Sequence, residues 1–224
     1  MLLSVLSCKQ KNTGAQPKTV NAAVQTKQIV ADILLNSTAH HVDGHQITVI
    51  TTNKNRIFVI KDNYDTIYRD SVFSLNQQFV YFDSDTYKDI LLDYSTNMPG
   101  IKDVLLYDKV EKTYKKVVDL HDYPAPQRIG NTKYYYSYHH SGCADMNWDS
   151  DLFYIENYQT VKIGNISGRQ CDDTGVKDGI YINKIVGKKE FRMAELPITV
   201  VGKYKDHKWG FIAHYWKQNF RKFL

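Results

Sequence analysis

The sequence is poor in several features that would place it quickly. No stretch reaches the ~18 consecutive apolar residues of a spanning helix. Alanine is scarce past residue 32 and no heptad is sustained, which argues against a coiled coil or a helical array. There is no excess of one charge sign: 29 basic and 24 acidic residues are mixed along the chain and leave a net charge of +5. That balance, with two short basic stretches at Lys184–Lys189 and Lys217–Lys222, does not resemble a nucleic-acid module. Neither a glycine-rich phosphate loop nor a nucleophile motif is found. Cysteine is limited to Cys8, Cys143 and Cys171.

What is present favours strands. The 224 residues suit one domain of ordinary size or at most two small ones, and 42% of them are hydrophobic, enough for a substantial core. Seventeen tyrosines accompany frequent Val, Ile and Thr. Residues 9–28 are polar and without period, and read as a flexible tether. Ile29–Leu35 is apolar and reads as a short helix or a first strand; after it short β-like runs follow, many alternating apolar and polar residues, among them Arg56–Lys61, Asp89–Asp93, Asp103–Tyr107, Gly179–Ile185, Ile198–Val201 and Gly210–His214. Turn chemistry separates them, as at Asn97-Met98-Pro99-Gly100 and Tyr123-Pro124-Ala125-Pro126. These signals predict a single all-β domain over 29–224, an antiparallel sandwich, barrel or partial propeller, after a short disordered tether. The segment Trp209–Trp216 reads as an aromatic terminal strand that is mainly core, with Lys217–Leu224 as a basic tail or short closing helix.

At the N-terminus, the apolar run Met1–Ser7 ends at Cys8 and turns abruptly polar at Lys9. Val5-Leu6-Ser7-Cys8 resembles the end of a bacterial lipoprotein signal, which implies cleavage before Cys8, lipid on that cysteine and a lipid-anchored place in the cell envelope. The run is shorter than a complete signal and has no basic n-region, which leaves the true start of the chain open. With Cys8 lipidated, Cys143 and Cys171 remain as an even pair in an exported chain. A disulfide between them is expected, closing a loop of ~28 residues and contributing roughly 3 kcal/mol.

The sharpest local motif is Phe82-Asp83-Ser84-Asp85-Thr86-Tyr87-Lys88-Asp89, followed by an apolar strand. Asp83, Asp85 and Asp89 are candidate ligands for a calcium ion, since carboxylates this close in sequence repel unless a hard cation joins them. The other reading is a turn whose aspartates cap backbone amides without metal. The segment resembles the acidic loop of FG-GAP (VCBS) propeller repeats, with Tyr81 and Thr86 standing where that pattern has an acid and a glycine. No second good copy of the loop is seen in the chain.

A second stretch, Tyr134–Trp148 with Gly142-Cys143 inside it, leads into Asp149-Ser150-Asp151. One acidic loop followed by an aromatic strand and Gly-Cys resembles periplasmic lipoproteins of the lysozyme-inhibitor immunity type. That resemblance implies a non-enzymatic envelope protein that binds and blocks a peptidoglycan hydrolase, through aromatic anchors with a polar rim. The competing expectations are a glycan-binding protein, or a glycan hydrolase working with Asp145, Asp149 and Asp151. His139 and His140 beside these acids suggest acid–base chemistry only weakly without a nucleophile motif. His40, His41 and His45 read as solvated, because adjacent strand residues face opposite ways.

Overall fold

A computed structural model describes residues 34–63, 65–71, 74, 76–83, 85–94, 96–171 and 175–224. The expected lipidation site Cys8 and the tether lie outside these residues.

The fold is three antiparallel sheets stacked like a sandwich, and none of them closes into a barrel. The first is a four-stranded meander, β1 (Leu34–Val42), β2 (His45–Thr52), β3 (Arg56–Lys61) and β4 (Asp65–Ser71). The second is another, β5 (Asn76–Val80), β6 (Asp89–Asp93), β7 (Lys102–Asp108) and β8 (Thr113–Lys116). The third has seven strands: β9 (Gln127–Arg128), β10 (Tyr134–Tyr136), β11 (His139–His140), β12 (Trp148–Glu156), β13 (Gln159–Arg169), β14 (Gly179–Val186) and β15 (Lys189–Leu196). Its path runs β15-β14-β13-β12-β10-β9, with β11 beside β12. One helix, α1 (His207–Asn219), follows.

The run Val104-Leu105-Leu106-Tyr107 shows why the second sheet lies in the middle. Strand side chains alternate between faces, so a run that is apolar at every position suits a strand covered on both sides. Leu105 and Tyr107 pack with Val49, Ile57 and Val59 of the first sheet. Val104 and Leu106 pack the other way, with Tyr135 and Phe153 of the third. On its far face the third sheet takes α1 through Leu152, Ile166 and Ile182 against Phe211, Ile212 and Trp216. Burying each of those aromatic side chains contributes about 1.5–3 kcal/mol. The indole N–H of the fully buried Trp216 donates to Ser150 Oγ at 2.8 Å, so burial leaves no polar atom of that ring unpaired.

Two expected strands are corrected. Gly210–His214 lies inside α1, and Ile198–Val201 lies in a 3-10 turn. Phe211, Ile212, Tyr215, Trp216 and Phe220 recur at helical rather than alternating spacing, and packing that stripe on the sheet outweighs the modest helix propensity of aromatics. The chain closes in a 3-10 turn at Phe220–Phe223 whose two phenylalanines are buried.

Candidate functional site

The acidic loop leads into β6. Asp89 is fully buried, and one of its carboxylate oxygens accepts the N–H groups of Phe82 (2.9 Å) and Asp83 (3.4 Å). The other accepts Tyr107 N–H at 3.0 Å, which ties the loop to the C-terminal end of β7. Asp83 accepts Asp85 N–H and Asp85 accepts Tyr87 N–H, each at 2.8 Å, as in Asx turns. Burial pushes the Asp89 carboxyl up to about 7, with the amide hydrogen bonds opposing that rise. Among the described residues, the group of three whose ligand atoms lie within 4.8 Å of one another is the exposed Asp119, His121 and Asp122. Asp83, Asp85 and Asp89 do not form such a group, and as folded each accepts backbone amides.

The aspartates proposed for hydrolysis are engaged in ion pairs. Asp149 and Asp151 share the face of β12 opposite α1. Arg169 Nη2 donates to both oxygens of Asp149, at 3.0 and 3.1 Å, and the hydroxyls of Ser141 and Ser167 donate to it as well. Asp151 is buried against Lys162 Nζ (2.7 Å) and Asn165 Nδ2 (2.8 Å), with His139 Nε2 at 3.7 Å. Burial opposes ionisation of Asp151, but His139 and Lys162 outweigh it and hold the carboxyl below its ordinary range. His45, at the start of β2, pairs with Asp62, just after β3, at 2.8 Å, and His40 packs near the Phe79 ring.

The structure gathers a different set of residues around Trp209. This residue begins the apolar stripe of α1 but, unlike Ile212 and Trp216, it is 48% exposed. Three adjoining hollows share it as a common wall, with volumes of about 330, 340 and 570 Å³. Tyr138 packs against its ring, with centroids 3.6 Å apart. Met98, Pro99, His139 and His140 line one hollow, and the exposed Met146 lines another. Asp145 stands between these two. Its carboxylate accepts the Tyr138 hydroxyl and the Lys208 ammonium, and its carbonyl accepts the same ammonium at 2.8 Å. Burial disfavours the charge on Asp145, but Lys208 and Tyr138 outweigh it and hold the carboxyl below its ordinary value.

The loop carrying Asp145 is held in an uncommon backbone. Cys143, Ala144 and Asp145 have φ of 49°, 49° and 73°. Left-handed geometry costs roughly 1–2 kcal/mol for each such residue. The expected disulfide holds this turn, joining Cys143 to Cys171 just beyond β13 with Cα atoms 6.2 Å apart. Ser141 N–H to Asn147 O, at 2.7 Å, closes the base of the loop. A strained turn fixed by a covalent bond and an ion pair is a rigid support for the aromatic surface beside it.

The sequence set His139 and His140 beside Asp145, but offered no means of joining them to the Trp209–Trp216 segment. Reading that segment as a strand hid the helical register that separates Trp209 from the buried Ile212 and Trp216. Lys208 was missed altogether, since a lone lysine carries no signal until its partner 63 residues away is known.

No family model and no curated protein sequence matches the chain. Its fold is similar to that of a solved Xanthomonas type IV secretion system related protein, at 12% identity over 73% of this chain and 93% of that one, with a TM-score of 0.44. A likeness at that level carries no argument about function. Among the described residues, no helix is long and apolar enough to cross a membrane.

Proposed function

We propose that this protein is a non-enzymatic binding protein of the bacterial envelope, held to a membrane by lipid on Cys8, and that it takes a protein partner over the Trp209 surface. The class of partner we propose is a peptidoglycan hydrolase, blocked on binding. The observation that carries the binding reading is the half-exposed Trp209 on a rigid support, walled by three hollows. Tryptophan and tyrosine supply large contact area at little cost in side-chain entropy and dominate binding energy where they insert into or frame pockets. The ion pairing of Asp149 and Asp151 also favours binding over chemistry, since a general acid must hold a proton near the working pH. The hydrolase class rests on the resemblance of the acidic loop and the aromatic Gly-Cys stretch to immunity lipoproteins.

The test titrates the 224-residue chain into a peptidoglycan hydrolase acting on purified peptidoglycan. Stoichiometric loss of hydrolase turnover is the expected result. Retention of the protein on peptidoglycan without inhibition would favour a glycan-binding protein. Release of fragments by the protein alone would make it an enzyme.

A further inference from the structure

Strand β15 forms one end of the seven-stranded sheet, so among the described residues one of its sides has no neighbouring strand. Lys189, Glu190, Phe191, Arg192 and Met193 are all exposed, and Phe191 and Met193 are 50% and 45% accessible. A flat, uncovered edge with apolar side chains is a template for another strand. We infer that this edge pairs with the same edge of a second copy of the chain, making an antiparallel two-fold dimer centred on Phe191.

The register follows from three features of the strand. The exposed stretch Lys189–Met193 has Phe191 at its middle. A two-fold axis there sets Phe191 opposite Phe191, and sets Glu190 opposite Arg192 twice. Charge therefore matches in this register, whereas an axis at Arg192 would oppose two guanidinium groups. The backbone also fits. The hairpin closes on the Val186–Lys189 pair across a two-residue turn, and from there every second residue of β15 directs its N–H and C=O away from β14. Those residues are Glu190 and Arg192, which in this register bond to each other across the axis.

The side chains are placed for the exchange. Arg192 is held over the Tyr181 ring, 4.4 Å from its centroid, with Nε on Asn183 Oδ1 at 2.6 Å. Its in-chain acid, Glu195, is 3.8 Å away. Among the described residues Glu190 has no ion-pair partner. The bulge falls at Met193, between Arg192 and Ala194, and ends the regular ladder there, which limits the pairing to the exposed segment.

The test is sedimentation of the full chain across a wide concentration range, with charge-reversal variants. Wild type is expected to dimerise. Glu190→Arg and Arg192→Glu are each expected to weaken the dimer about 10- to 30-fold, because the two-fold axis counts every reversal twice. The double variant E190R/R192E is expected to recover most of that loss. A wild-type chain that stays monomeric throughout would overturn the inference. So would a dimer indifferent to Glu190→Arg, a change at an exposed residue that the fold does not need, or one that the double variant fails to restore.

Discussion

Lys208 Nζ reaches back 63 residues to grip Asp145 through both its carboxylate and its carbonyl oxygen, the latter at 2.8 Å. The contact joins the first turn of α1 to the left-handed loop and sets Trp209, the next residue, at the junction of the three hollows. Lys208→Met keeps the length of the side chain and removes the ammonium. We predict a loss of about 1 kcal/mol in denaturant unfolding, limited because the Asp145 side chain is 39% exposed and solvent screens the pair. Partner affinity should fall more than stability does, because the loop and Trp209 lose their common register.

Asp89 gives the fold a pH dependence of its own. Its carboxyl titrates near 7 in the folded chain, against ~3.9 when unfolded. Between those values the native state binds more protons than the unfolded state, so this group makes stability fall as pH rises from about 4 to about 7. Above 7 its contribution is constant, and the slope within the window is at most about 1.4 kcal/mol per pH unit. The Asp151 and Asp145 carboxyls, both held low, act oppositely: their contributions are full above the ordinary carboxylate range and are lost in more acid solution. Denaturant unfolding followed from pH 8 to pH 3 should therefore give greatest stability on the acid side of neutrality. Asp89→Asn should flatten the upper part of the profile while lowering stability overall, because an amide cannot accept all three backbone N–H groups.

Calcium should have little effect. Asp89 accepts amides at both oxygens and Asp83 and Asp85 at one each, and the three do not form a group with ligand atoms within 4.8 Å of one another. Thermal unfolding in millimolar calcium and in chelator should agree within error. A rise with calcium that vanishes in Asp85→Asn would show that the loop rearranges into a metal site.

Reduction of Cys143–Cys171 should cost roughly 3 kcal/mol, by freeing a loop with a sequence separation of 28 in the unfolded chain. The paired Cys143→Ser and Cys171→Ser variant, compared by denaturant unfolding, should show that loss together with more exposed Trp209 fluorescence.

Gly168 and Gly164 set how closely β13 meets its neighbours. A methyl group at Gly168 would overlap the Trp148 indole, and one at Gly164 would come within 2.7 Å of the Phe223 ring. Both rings are buried, so neither has free space to turn into. Gly168→Ala should cost about 3 kcal/mol or more, measured by thermal or denaturant unfolding.

The sequence carried the buried part of this fold well and its edges poorly. Arg56–Lys61 and Asp89–Asp93 were legible because at least one face of each is covered, which forces the apolar pattern. Strands β1 and β15 were not, because edge strands exposed over most of their length need no such pattern. In Trp209–Trp216, aromatic richness favoured a strand while spacing favoured a helix, and spacing decided the structure. The cysteine pair was legible by parity. The surface around Trp209 was not, because it joins side chains from Met98, Tyr138, Asp145 and α1, which only the folded chain brings together.

The binding of a purified peptidoglycan hydrolase to wild type and to Trp209→Ala, with thermal unfolding of both, tests the account most directly. Half-exposed Trp209 can be removed at little cost to the core, so we predict unfolding temperatures within a few degrees and an affinity reduced at least ~30-fold, as for a central aromatic anchor worth about 2 kcal/mol or more. Equal affinity in the two proteins, or no hydrolase binding by wild type, would contradict it.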